Sequence, residues 1–274
     1  MDVNEYQKDL NDLNEFSFLW NENNNNKKAK SKLLNAMHWY RKAEQSINQE
    51  DKMLNYWIAI ENLFNLEINI SNDIIDDKNK KSKIHLIQKI ISSIQIFKFV
   101  YDYGWELYNH YKIIVLNPFQ NNLNLPKELL LKSDLDAKVG ESIHLENFIK
   151  SLHEIKNYET DLFILQKIED LILFYENPSF TKKTIEKQII LIENDILMIY
   201  RFRNLIVHNA HFDNALLPYF VWKVRDYCGV LIRKLISEYK ENDRELSNIM
   251  IEIYLNKDIF LSDLENGKGN LFKK

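Results

Sequence analysis

The sequence predicts an all-α protein. Three observations carry this. Only five glycines and four prolines occur in 274 residues, too few for the glycine turns of an all-β fold or a Rossmann-type phosphate loop. Apolar residues recur at spacings of three and four over long stretches. The breaks between those stretches are short polar runs or Asn-Pro steps that stop a helix. Hydrophobic residues at 45 % and charged residues at 28 % are ordinary for a soluble globular chain. The length suits one large or two small domains.

Residues 1–30 read as a polar arm ending in an Asn run, with Phe16, Phe18, Leu19 and Trp20 as a short docking piece. A helix is expected over 31–49, on Leu33, Leu34, Met37, Tyr40 and Ala43. Asp51 suits an N-cap for a helix over 52–68, with Met53, Tyr56, Trp57, Ile60, Leu63 and Phe64 on one stripe. Glu61 lies among these apolar residues, either as an exposed acid on the opposite face or as a half-buried partner for an arginine. Residues 71–82 form a polar break, and a third helix follows to about 100. Tyr103-Gly104 is expected to turn or kink the chain before a helix over 105–116. Residues about 101–145 hold the least regular composition and read as an insertion. Helices are then expected over 144–157, 159–176, 181–209, 217–240 and 244–256, with Ser179 or Thr181 capping the one over 181–209. The domain reading is an arm over 1–30, a helical domain over 31–240, and a short helix and tail over 241–274.

Cys228 is the only cysteine, so no disulfide forms within the chain, and a reducing cytoplasm is the expected compartment. The first residues lack a signal peptide's basic start and apolar core, and no apolar run reaches the roughly 18 residues of a membrane span. The formal charge of −4 means that a nucleic acid would be met by local basic patches. Two such clusters exist: Lys27, Lys28, Lys30, Lys32, Arg41 and Lys42, then Lys78, Lys80, Lys81 and Lys83.

The helix over 181–209 is the chemically unusual element. Ile185, Ile189, Ile192, Ile196 and Ile199 alternate steps of four and three, and the seam then receives Arg203 before Ile206. A second line is polar from Arg201 onward, through Asn204, His208 and His211. Desolvated guanidinium or imidazole costs free energy unless it finds a partner. Arg203 and His208 are five residues apart, which at roughly 100° per residue points them about 140° apart on a straight helix. A second copy packed across a two-fold axis would bring the two kinds of group into one cleft. Histidine titrates near working pH and can pass a proton to or from a ribose 2′-hydroxyl or a leaving oxygen. Arginine matches a phosphate and its developing charge. Asparagine can orient either. His208 alternatively caps the helix C-terminus, and Arg203 can equally be a structural partner of Glu61. His208 and His211 lack the further ligands of a convincing metal site.

Arg203-Asn204-Leu205-Ile206-Val207-His208 resembles the R-N-x-x-x-H signature of HEPN domains. Tyr56-Trp57-Ile58-Ala59-Ile60-Glu61-Asn62-Leu63-Phe64 is similar to the W-I-A-L-E-x-L-F helix of the Apea-like HEPN group, found in bacterial anti-phage and abortive-infection proteins. The resemblance implies a HEPN-like helical bundle acting as a metal-independent endoribonuclease without a cofactor. It implies an obligate homodimer with a composite site of Arg203, Asn204 and His208, supported by Glu61. RNA would be the substrate, and an antitoxin or regulatory partner would restrain the activity. Arg201 also fits the looser arginine spacing, so either arginine can be the one that meets the phosphate. Two other readings stand beside the enzyme: a non-catalytic RNA-binding or dimerisation module of a larger defence system, and a purely structural helical partner protein.

Overall fold

The computed structural model describes residues 27–65, 82–116, 125–138, 144–209, 215–242, 244–267 and 271. These residues form nine α-helices and no strand, so the fold is all-α as expected. The helices are α1 (Lys27–Gln45), α2 (Gln49–Leu63), α3 (Lys83–Leu116), α4 (Lys127–Lys132), α5 (Leu145–Ile155), α6 (Leu162–Glu176), α7 (Pro178–Asn209), α8 (Leu217–Asn242) and α9 (Leu246–Glu265), with a 3-10 turn at Lys156–Tyr158. The polar arm before residue 27, its docking piece, the break at 71–81 and His211 lie outside the described residues.

Several boundaries differ from the expected ones, each for a local reason. Residues 83–116 are one continuous helix of 34 residues, not two helices separated at Tyr103-Gly104. Gly104 sits inside it because α5 and α6 crowd that face: a Cβ there would lie 2.9 Å from Ile149 Cδ1 and 2.9 Å from the Tyr175 hydroxyl. Residues 101–116 of the expected irregular stretch are therefore helical. The residue ahead of α2 is Asn48, and Asp51 lies within the first turn, where a carboxylate favours the helix dipole. Asn177 caps α7, its side-chain oxygen accepting from the Phe180 amide at 3.0 Å, with Pro178 in the first turn. Neither Ser179 nor Thr181 caps it; Thr181 Oγ1 instead donates to backbone carbonyls of Phe174 and Asn177. α9 runs to Glu265, well past the expected end at 256.

Compactness divides the chain into two units, each built from separated segments. The first comprises Met1–Ile94 and Leu191–Asn256. Its described part holds α1, α2, α8, the start of α3, the last part of α7 and the start of α9. Its core is a single cluster in which Leu33, Met53, Tyr56, Trp57, Ile60, Ile196, Ile199, Val224 and Leu235 are essentially inaccessible. The second comprises Gln95–Ile190 and Lys257–Lys274, with one core around Tyr108, Tyr111, Phe148 and Ile168 and another around Ile96, Phe174 and Ile185.

Polar clamps fix the helices of the first unit. Glu44 on α1 accepts from Arg225 on α8 through a two-pronged pair, Nε at 2.7 Å and Nη2 at 3.0 Å. The same carboxylate accepts from the Tyr56 hydroxyl of α2 at 2.5 Å. One group thus ties three helices. Gly229 on α8 lets the Tyr40 ring of α1 approach closely: a Cβ there would meet its hydroxyl at 3.3 Å.

Candidate functional site

The C-terminal end of α7 is positioned by clamps on the turns before it. Glu193 receives Lys89 of α3 at 2.9 Å, and its carbonyl accepts from Gln88 at 2.7 Å. Asp195 receives Tyr227 at 2.7 Å and Lys223 at 3.0 Å, both from α8. Desolvation and the bond to Asp195 push the Tyr227 hydroxyl far above its ordinary range, so it stays a donor. The isoleucine seam continues inward through Ile192, Ile196, Ile199, Phe202 and Ile206, all nearly fully buried. Phe202 packs on Phe220 of α8 with ring centroids 4.9 Å apart. The face that carries Arg203 is thereby set against α2.

Helix α2 answers with Trp57 and Glu61, one turn apart on one face. Trp57 is buried against Tyr200 of α7, ring centroids 5.7 Å apart. One turn further on both helices, Arg203 Nη2 lies 3.6 Å from Glu61 Oε2, with both side chains a little over a quarter exposed. Arg203 Nη1 also donates to Asn204 Oδ1 at 3.0 Å. Glu61 is therefore the half-buried partner of an arginine, and that arginine is Arg203 rather than Arg201. The latter is exposed and, among the described residues, its side chain reaches only Met198 Sδ, at 3.7 Å.

His208 lies in the last turn of α7, exposed, with no hydrogen bond or ion pair among the described residues. The helix runs unbroken through it, so the wide angle between Arg203 and His208 is retained. Arg203, Asn204 and Glu61 are brought together; His208 is not brought onto them within one chain. Leu205 and Val207 beside it are exposed apolar residues, as are Tyr219 and Trp222 early in α8.

Comparison with protein-family models, with curated proteins and with solved structures finds no match to this chain.

Two lysines complete the surroundings. Lys83, first in α3, donates to Asn65 Oδ1 at 2.7 Å, and Lys32 of α1 donates to the Asn65 carbonyl. Partial desolvation of its ammonium pulls Lys83 below its usual range; Glu61 opposes this and the Arg203 charge adds to it. Each lysine belongs to a basic cluster visible in the sequence, but their convergence on Asn65 was not. Trp57 and Tyr200, the aromatic floor under the ion pair, read in the sequence only as core. Among the described residues no group of three or more His, Cys, Asp or Glu could hold a metal, and no helix is long and apolar enough to cross a membrane.

Proposed function

We propose that this chain is a HEPN-type endoribonuclease that works as a homodimer without a metal. The reading rests on the Arg203-Asn204-x-x-x-His208 run at the end of a rigid helix, with Arg203 steadied by Glu61 at 3.6 Å and His208 open to solvent. Arg203 is pre-oriented to accept a phosphate, and Asn204 holds it from the side. Packing of the exposed Leu205 and Val207 in an interface would set His208 of a second copy near Arg203. The 2′-oxygen of RNA then bonds to the adjacent phosphorus as the bond to the 5′-oxygen breaks. One His208 takes the 2′-hydroxyl proton and the other protonates the leaving 5′-oxygen. Arg203 offsets the charge that builds on the phosphoryl oxygens. DNA lacks the nucleophile. Such an activity belongs in anti-phage defence, abortive infection or a toxin, held in check by an antitoxin or regulatory partner.

Purified protein should cut RNA in EDTA, leaving 2′,3′-cyclic phosphate or 3′-phosphate ends. A folded His208→Ala protein should lose at least about a hundredfold in rate, the low end of general acid–base contributions. Cutting at an unchanged rate by that variant overturns the proposal. A second reading, a non-catalytic RNA-binding module, draws on Glu61 already neutralising Arg203. It predicts salt-dependent RNA binding, no cleavage, and no effect of His208→Ala.

A further inference from the structure

Two polar groups beside Arg203 each lack what the other could supply. Trp57 is 1 % exposed, and its indole Nε1 donor has no hydrogen-bond partner among the described residues. A buried donor without an acceptor is both rare and costly. Glu61, one turn later on α2, has the opposite deficit. Its carboxylate is about a quarter exposed and accepts no hydrogen bond among the described residues. Its ion pair with Arg203, at 3.6 Å, is longer than a hydrogen bond. Lys83 feels the Glu61 charge but donates to Asn65 instead. Side chains four apart on a helix are neighbours, and each leans back over the turn before it. The Glu61 carboxylate therefore leans toward Trp57. It has two donors to choose from, the guanidinium across on α7 and the indole on its own helix. A guanidinium held by Glu61 must loosen that hold to present its fork to a phosphate. A half-buried carboxylate left without any partner would oppose the move.

We propose that Trp57 is a positioning residue whose indole N–H takes over the Glu61 carboxylate when Arg203 turns to an RNA phosphate. In the free protein Glu61 holds Arg203 and the indole donor is idle. In the bound protein Glu61 accepts from Trp57 and Arg203 holds the anion. The carboxylate keeps a partner in both states, so Arg203 is steadied before the ligand arrives and released when it does. This rests on the ribonuclease reading for its ligand, and it gives a role to a residue outside the Arg-Asn-His run that acts through Glu61.

Indole N–H resonances of the isotope-labelled full-length protein report this exchange apart from any cutting. The Trp57 signal is the one lost in Trp57→Phe. In Arg203→Ala, where Glu61 has no arginine to hold, that signal should move downfield and exchange with solvent more slowly. Arg203→Ala/Glu61→Ala should return it. Wild-type protein should show the same movement on saturation with a short 2′-O-methyl RNA, which keeps the phosphates but has no free nucleophile. If Arg203→Ala fails to fold, the wild-type titration decides. By anisotropy, Trp57→Phe should weaken binding of the labelled 2′-O-methyl RNA about 10- to 100-fold, because a hydrogen bond to a charged group is then missing from the bound state alone. The same substitution in a Glu61→Ala background should leave affinity unchanged. An indole signal that stays in place in folded Arg203→Ala, or in wild type saturated with the RNA, overturns the exchange, as does an absence of RNA binding. Movement in both samples without cleavage of ordinary RNA by wild type would keep the exchange and remove the ribonuclease. Cleavage with an unmoved indole would do the reverse.

Discussion

Replacing Gly104 with alanine sets two opposed effects against each other. Gly104 lies in the interior of α3, where alanine is favoured over glycine by about 1 kcal/mol. Against this, the new methyl would stand 2.9 Å from Ile149 Cδ1, 2.9 Å from the Tyr175 hydroxyl and 3.4 Å from Leu145 Cδ2. Ile149 can yield by turning its terminal methyl. The Tyr175 ring cannot yield so easily, because its hydroxyl donates to the Val100 carbonyl at 2.5 Å. Overpacking of this kind costs about 1–3 kcal/mol. Displacing the hydroxyl costs about another 1 kcal/mol for the lost bond. Gly104→Ala should therefore destabilise the protein by about 1–3 kcal/mol after the helix gain is subtracted. At about 2–4 °C per kcal/mol the Tm should fall by several degrees. Calorimetry and urea unfolding read this directly. A cycle with Tyr175→Phe isolates the cause, since removing the hydroxyl should make the added methyl less harmful. A Gly104→Ala protein more stable than the parent would refute the reasoning and leave helix propensity as the stronger effect.

Two further outcomes follow from other groups. Desolvation raises the Glu44 carboxyl, but hydrogen bonds from Tyr56 and Arg225 and the Arg225 charge outweigh it and hold the group below its usual range. Its folded pKa lies below the unfolded value of about 4.3, so its contribution is complete above that pH and is lost as pH falls through the folded value. The stability gap between wild type and Glu44→Gln should thus be widest near neutrality and shrink below about pH 4; a gap that stays constant down to pH 3 in thermal melts would count against this clamp. Cys228 is fully buried, and burial pushes its thiol far above the ordinary range. It should react with a thiol reagent only as fast as the protein opens, and immediate labelling of native protein would contradict that burial.

What could be read from the sequence was local and periodic. The seam of Ile185, Ile192, Ile196, Ile199 and Ile206 follows from spacing alone, and those residues are buried. The stripe of Met53, Tyr56, Trp57, Ile60 and Leu63 is buried in the same way. Glu61 stood out because an acid amid apolar neighbours needs a partner, and Arg203 provides one. Gly104 was misread because glycine signals a turn when only sequence neighbours are considered. Its cause here is a tertiary approach by Ile149 and Tyr175, which lie 45 and 71 residues away. The end of α9 was placed too early because the sequence does not show that Phe260, Leu261 and Leu264 pack into the core around Ile96, Phe174 and Ile185. Asn177 was taken as a stop signal when it also begins the next helix, since one residue can end one ladder and cap another. Lys32 and Lys83 could not be paired from sequence, because 51 residues separate them and each cluster resembles an ordinary solvated surface.

The interleaved build of the first unit sets a timetable for the nascent chain. Glu61 and Arg203 are separated by 142 positions, and about two thirds of the intervening residues, Gln95–Ile190, belong to the second unit. At about 5–20 residues per second a ribosome needs roughly 7–28 s to travel from one to the other. During that interval α1 and α2 have emerged with Trp57 lacking the Tyr200 ring that packs on it, because α7 does not yet exist. Truncated chains that stop before α7 leave Trp57 in the same state and lack Arg203, Asn204 and His208 altogether. The ion pair closes only after most of the protein has been made, so aborted synthesis yields chains in which Glu61 never meets Arg203.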